Sequence, residues 1–152
     1  MTQTLNIRPA TPPLRAALEN LQRRASLVSE TYRAQLLAHP ESIHLPAHQI
    51  AHGNVWVAEA EESIVGFHVL IARGRDEMEL DGLFVEPARW RAGIGRALVG
   101  HAAELAGSRS ARVLVVVAGR DAEPFYRKAG FAVSGTIATR FDTALEMRRP
   151  LA

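Results

Sequence analysis

The sequence predicts an α/β fold in which one mixed sheet carries helices on both faces. Three observations carry that reading. Apolar stripes at helical spacing recur along the chain, and β-branched runs of strand length lie between them. The run Arg112–Ala118 is almost continuously apolar, as in a strand covered on both sides. The resulting order, βααβββαβαββ, suggests a mixed sheet rather than a bundle or a sandwich.

Each element has a local warrant. Leu5–Arg8 reads as a short first strand stopped by Pro9. Thr11-Pro12-Pro13 opens a helix, since threonine caps and proline is tolerated in a first turn. Leu14, Leu18 and Leu21 give that helix its apolar stripe. A second helix follows Ser29, with Tyr32, Leu36 and Leu37 on one side, and stops before Pro40. Glu41–Gly53 is expected to be irregular, with one turn after Pro46. Three strands follow, Asn54–Ala60, Ser63–Arg73 and Glu77–Glu86, with Glu61-Glu62 turning between the first two. The next helix is expected from about Gly93 to Ala106, with Ile94, Ala97, Leu98, Ala102 and Leu105 facing the core and Gly107 as its stop. Asp121 is expected to cap a last helix that runs through Lys128 and ends at Gly130. Phe131–Thr139 and Ala144–Arg149 are the final strands.

The chain has 152 residues, 47% hydrophobic and 22% charged, which predicts one domain over residues 1–152. A chain this long buries enough apolar surface to need no disulfide or metal staple. It has no cysteine, which excludes thiolate zinc sites and a cysteine nucleophile. No apolar run approaches the ~18 residues of a membrane span, and the first residues lack a signal pattern. A soluble cytoplasmic protein is expected. The formal charge is +2, from 18 basic and 16 acidic residues, and every basic residue except Lys128 is arginine. The arginines are scattered among glutamates rather than gathered in a stripe, so no nucleic-acid partner is expected.

The strongest local signal is Val85-Glu86-Pro87-Ala88-Arg89-Trp90-Arg91-Ala92-Gly93-Ile94-Gly95-Arg96. A strand ends, a loop turns, and a helix begins at two glycines one residue apart. The first amides of a helix lack internal partners and carry the positive end of its dipole. Glycines there allow a phosphate to approach the backbone. The spacing suits a pyrophosphate cradle, or equally a plain strand-to-helix turn. It is neither a dinucleotide fingerprint nor a Walker loop.

At these residues the sequence resembles the GNAT superfamily, the Gcn5-related N-acetyltransferases. Trp90-Arg91-Ala92-Gly93-Ile94-Gly95 is similar to the family's Gln/Arg-x-x-Gly-x-Gly/Ala motif, and Leu83-Phe84-Val85-Glu86-Pro87 to its preceding strand end. Ala122-Glu123-Pro124-Phe125-Tyr126-Arg127-Lys128-Ala129-Gly130-Phe131 is similar to its Ala-x-x-x-Tyr-x-x-x-Gly-Phe segment, and Leu145-Glu146-Met147-Arg148 to its last strand. Two positions depart from the family: Trp90 replaces Gln or Arg, and Gly119 stands where Asn often does.

The resemblance implies a mostly antiparallel sheet with a splay between strands 4 and 5. It also implies binding of acetyl-CoA and acetyl transfer to an amine. The backbone of Arg91, Ala92, Gly93, Ile94, Gly95 and Arg96 would hold the pyrophosphate. The backbone of Leu83, Phe84 and Val85 would pair with the pantetheine arm as an added strand, with Ala122 and Phe125 also on the cofactor side. An amide near Val85 would polarise the thioester carbonyl. Family members often form homodimers, so a dimer is a further implication.

The chemistry asks for two proton movements. An alkyl amine has a pKa of ~10.4, so its nucleophilic form lies about 4–5 kcal/mol uphill at pH 7. A base that drains the proton is therefore useful. Glu79 and Asp81 share a strand face by alternation, together with Leu83 and Val85, and two adjacent carboxylates raise each other's pKa. Glu79 lies at the general-base position of some family members. The residues leave the base open between Glu79, Asp81 and a water. The departing thiolate needs a proton, and Tyr126 matches the family's usual acid. A core role for its ring is the alternative. Phe125 and Phe131 read as core.

His44, His48 and His52 are four residues apart, but Pro46 breaks a helix there and no acidic ligand pattern accompanies them, so no metal is expected. His68 on its strand reads as a core or cleft histidine. The resemblance points for the acceptor site to Glu30, Tyr32, Arg33, Trp56, Arg140 and Phe141, without naming the acceptor. The sequence therefore reads as an N-acetyltransferase moving acetyl directly to a small-molecule or peptide amine. The alternative is a non-catalytic acyl-CoA-binding module.

Overall fold

The computed structural model describes residues 4–151. Seven strands and five α-helices follow one another: β1 Asn6–Pro9, α1 Arg15–Ser26, α2 Arg33–Ala38, α3 Ala47–Ala51, β2 Val55–Ala60, β3 Ser63–Arg73, β4 Glu77–Val85, α4 Ile94–Ser108, β5 Val113–Ala118, α5 Glu123–Lys128, β6 Ala132–Ala138 and β7 Thr143–Pro150. The strands hydrogen-bond in the order β1-β2-β3-β4-β5-β7-β6. The β4–β5 pair is parallel, whereas β1–β2, β2–β3, β5–β7 and β6–β7 are antiparallel. This is the mixed sheet that the element order predicts, mostly antiparallel as the resemblance implies. No described helix is long and apolar enough to cross a membrane.

The turn expected after Pro46 is present as the five-residue α3, whose Ile50 is buried. Several expectations are corrected. Helix α4 does not stop at Gly107 but runs to Ser108. Its end is closed one turn later, where Ser110 takes a φ of +67° and the Ala111 N–H reaches the Ala106 carbonyl at 3.0 Å. That is the left-handed closure usually given to glycine. Asp121 does not cap α5: the residue before the helix is Ala122, and no side chain caps it. Leu37 is 62% exposed, so the apolar side of α2 is narrower than the sequence suggests. Val117 is exposed as well, so β5 is covered on both faces only in its earlier part.

The contacts divide the chain into two compact units. The first takes residues up to Val69 together with Gly82–Leu98. Here β1 pairs with β2 from Asn6 opposite Glu59 to Pro9 opposite Trp56, and Arg8 forms an ion pair with Glu59. The β2–β3 register shifts between Ala58 and Glu59, leaving Val65 as the extra residue of a bulge. Ala58, Ala60, Val65, Ile94 and Leu98 form a buried cluster on which Leu5, Ile7, Leu83 and Val85 pack. Each large side chain so buried contributes about 1.5–3 kcal/mol. The first turn of α4 is thus fixed by its own Ile94 and Leu98.

Gly66 is needed at its position in this unit. A Cβ there would stand 2.8 Å from the Phe84 carbonyl oxygen and 3.0 Å from Leu98 Cδ1. The absence of a side chain lets the backbone end of β4 and the first turn of α4 close on β3. Phe84 and Phe67 pack with ring centroids 5.3 Å apart.

The second unit takes Leu70–Asp81 and the chain from Val99 onward. Parallel pairing of β4 with β5 runs from Glu77 opposite Val113 to Leu80 opposite Val116. It stops there, as a parting of these strands requires. Met78, Leu80, Leu114, Val116 and Met147 are buried. Alternation along β7 buries Leu145 and Met147 and sends Glu146 and Arg148 to the opposite face.

Candidate active site

The first unit holds the strand-to-helix turn. The Glu86 N–H donates to the Val65 carbonyl at 2.8 Å. By the alternation of an antiparallel ladder, Leu83 and Val85 then direct their N–H and C=O groups to the edge away from β3. The side chains of both are spent on the apolar cluster, so what they offer there is backbone, with the Val85 carbonyl already accepting from Trp90. Pro87–Arg89 forms a 3-10 turn, and Arg91 and Gly93 follow at φ +66° and +84°. Nothing lies within 4 Å of a Cβ at Gly93, so the glycine serves the backbone conformation rather than a tight fit. The first bond of α4 runs from the Ala97 N–H to the Gly93 carbonyl, 3.0 Å. The amides of Gly93, Ile94, Gly95 and Arg96 therefore have no partner within the helix. Arg91, Ala92 and Arg96 are exposed beside them.

Two side-chain contacts hold this loop. Trp90, 46% exposed, donates its Nε1–H to the Val85 carbonyl at 2.8 Å. The residue that departs from the family motif thus ties the loop back to the strand end. Arg24 of α1 grips the Glu86 carboxylate through Nε at 3.0 Å and Nη2 at 2.6 Å. That bond holds the Glu86 carboxyl below its ordinary range.

The second unit holds the titratable candidates. Glu79 and Asp81 are neighbours on β4. Burial raises the Glu79 pKa above the ordinary 4.5, and the negative charge of Asp81 adds to the rise. Arg73 opposes it and is outweighed: its Nη1 stands 3.7 Å from Glu79 Oε1, beyond hydrogen-bond length. The sequence missed this surrounding network of Arg73, Glu77, Glu146 and Arg148. The alternation of Glu146 and Arg148 on β7 is the signal that could have found it.

Tyr126 is 7% exposed, and burial raises its phenol well above its ordinary range. Its place follows from the turn after α5. Gly130 takes φ +95°, and the Phe131 N–H returns to the Tyr126 carbonyl at 3.0 Å. This closure lays the buried Phe131 edge-on against Tyr126, with centroids 5.4 Å apart. The Tyr-x-x-x-Gly-Phe spacing is thus a helix ending that folds an aromatic back over the tyrosine. Phe125 is not core: at 36% exposure it touches Tyr126 edge-on from the outer side. Ala122, half-buried, precedes the helix.

The remaining sequence candidates fall elsewhere. His44 lies 3.2 Å from Glu19, and the rings of His48 and His52 are 5.7 Å apart. Among the described residues no three His, Cys, Asp or Glu side chains are grouped to hold a metal. His68 is fully buried on β3, opposite Trp56.

Residues 51–133 match the model of the acetyltransferase (GNAT) domain family. The chain belongs to the GNAT acetyltransferases, whose cofactor is acetyl-CoA. Solved structures share the fold. The PaiA N-acetyltransferase of Thermoplasma acidophilum, in complex with coenzyme A, is 18% identical over 97% of this chain and 99% of its own, with a TM-score of 0.78. A GCN5-related N-acetyltransferase of Rhodopseudomonas palustris is 21% identical over 99% and 98%, also at 0.78. An aminoglycoside 6'-N-acetyltransferase complexed with coenzyme A is 18% identical over 97% of each chain, at 0.74. Among curated proteins none is a significant match in sequence.

Proposed function

We propose that the protein is an acetyl-CoA-dependent N-acetyltransferase that moves acetyl directly to the amine of a small molecule or peptide. The observation that carries this reading is the start of α4, where amides without helical partners follow a strand end whose backbone is offered outward. These residues fit a coenzyme A diphosphate and its pantetheine arm. The amides of Gly93–Arg96 bind the diphosphate, helped by the dipole of α4 and the charges of Arg91 and Arg96. Leu83 and Val85 pair through their backbone with the arm, and an amide near Val85 stabilises the oxyanion. When bound, the cofactor supplies an activated acetyl group as its thioester.

Glu79 takes the proton of the attacking amine, directly or through water. Its raised pKa makes it a stronger base than an ordinary carboxylate. Asp81 keeps that pKa up. Tyr126 keeps its proton at neutral pH because burial disfavours the phenolate, and it gives that proton to the departing thiolate.

The test is release of free CoA from acetyl-CoA across a panel of primary alkyl amines, aminoglycosides and peptides with free amino termini. Wild type should turn over at least one of them. Tyr126→Phe should lower kcat about 10²-fold or more with the affinity for CoA unchanged. Binding of acetyl-CoA without turnover of any amine would favour the non-catalytic module instead. Absence of calorimetric heat on adding CoA would end both readings. The Trp90 bond makes its own prediction. Trp90→Phe keeps the ring and removes the donor, so the Kd for CoA should rise about two- to tenfold, the worth of one net hydrogen bond. An unchanged Kd would show that the loop needs no such tie.

A further inference from the structure

Arg73, the last residue of β3, is shared unequally among three carboxylates. Its Nη2 donates to Glu146 Oε2 at 2.9 Å, its Nη1 stands 3.7 Å from Glu79 Oε1, and its Nε stands 3.9 Å from Glu77 Oε1. Only the first is a hydrogen bond. Glu146 is itself fixed. The β6–β7 register shifts between Val133 and Gly135, and the extra residue, Ser134, donates its hydroxyl to Glu146 Oε1 at 3.0 Å. Arg148 Nε adds a contact at 3.4 Å. Arg148 also takes Glu77 through both Nη1 and Nη2. Glu79 therefore faces Arg73 from β3, Glu77 and Asp81 from its own strand, and Glu146 and Arg148 from β7. Its neighbour on β5 is the apolar Val115. Both guanidinium groups make their hydrogen bonds to other carboxylates, Arg73 to Glu146 and Arg148 to Glu77.

We propose that Glu146 is a positioning residue for Glu79: by holding the Arg73 guanidinium to itself, it keeps that cation from closing on Glu79 and leaves the carboxylate basic. The consequence for catalysis rests on the reading of Glu79 as the base. An arginine within about 4–6 Å lowers a carboxyl pKa by about 1–3 units, and Arg73 already acts on Glu79 in that sense from 3.7 Å; a direct hydrogen bond to the charged form would lower it further. Closure from 3.7 Å to hydrogen-bond length would thus turn Glu79 from a base toward a spectator ion. Ser134 and Arg148 keep Glu146 in place, so the network spans three strands to set one group.

The test is a carbon-13 titration of the glutamate side-chain carboxyls in the full chain, with the Glu79 signal assigned by its loss in Glu79→Gln. Glu146→Gln keeps the shape and weakens the hold on Arg73. The Glu79 midpoint should fall by about one unit. Adding Arg73→Met should bring it back to the wild-type value or above. A midpoint that does not move in Glu146→Gln overturns the proposal. So does a fall that persists after Arg73→Met, since it would come from the lost Glu146 charge alone. Should Glu146→Gln fail to fold, Ser134→Ala loosens the same carboxylate and should move the midpoint in the same direction by less; no movement there also overturns it. The acid limb of kcat/KM separates the two readings. A limb that follows the titration supports both. A limb that stays while the midpoint moves upholds the positioning role and removes Glu79 as the base.

Discussion

Glu79→Gln is expected to lower kcat/KM for any accepted amine by about 10²–10⁴-fold while the Kd for acetyl-CoA holds. The substitution keeps the size of the side chain and removes its charge and its ability to take a proton. The pH profile sharpens the test. Burial and Asp81 raise the Glu79 pKa, so the ionised, working form is lost as pH falls through that raised value. The wild-type rate should therefore drop on the acid side at a higher pH than an ordinary carboxylate would give, and Glu79→Gln should lack that limb. Stability should go the other way. A carboxyl whose pKa is raised by folding favours the folded state only while protonated, and that gain is gone once pH rises through the folded pKa. Above that folded pKa the ionised Glu79 is a burden, so Tm in Glu79→Gln measured there should not fall. A slow variant with an intact Tm separates chemistry from folding. Unchanged turnover would remove Glu79 from the mechanism and turn attention to Asp81 or a water.

Gly66→Ala is expected to damage both stability and cofactor binding through a single methyl group. The new Cβ would sit 2.8 Å from the Phe84 carbonyl oxygen, a backbone atom that cannot step aside alone, and 3.0 Å from Leu98 Cδ1. Overpacking of this kind costs about 1–3 kcal/mol. In a domain of this size that lowers Tm by about 2–4 °C per kcal/mol. The atoms that must move are the strand end and the first turn of α4, which carry the proposed contacts to the pantetheine arm and the diphosphate. Calorimetry should show weaker CoA binding even at temperatures where the variant stays folded. A variant that binds CoA as wild type does would mean that β4 relaxes without disturbing those groups.

Much of the fold was legible because the relevant signals are local. Alternation and the Glu61-Glu62 turn place β3 at Ser63–Arg73 with no error at either end. The helix stripe of α4 is read correctly at Ile94, Leu98 and Ala102. The failures share a cause. Gly107 looks like a stop because glycine is the usual left-handed residue, yet Ser110 takes that conformation once the chain has the Ala111–Ala106 bond to gain. Phe125 looks like core by type, but its neighbour Tyr126 occupies the inward position on so short a helix. The site divides along the same line. The start of α4 is marked by its glycine spacing, and Glu79 and Tyr126 are candidates through the family resemblance. Arg73, Glu146 and Ser134 come from three strands and a register shift, and no window of sequence holds them together. Gly66 is informative only once the Phe84 carbonyl is seen to press against it.

The fold of Phe131 back over Tyr126 has a bearing on how the two proposed proton carriers can be tuned. The phenol is seated by a backbone turn and by ring-on-ring packing, forces that neither salt nor mild acid disturbs. The carboxylate opposite in role lives among ions, where added electrolyte or one altered charge is felt at once. The two proposed proton carriers thus rest on different footings, the phenol on burial by ring packing and the carboxylate on burial together with its charged neighbours. The working pH of such a protein can drift over generations by exchanging surface charges, without reshaping the aromatic seat of the phenol.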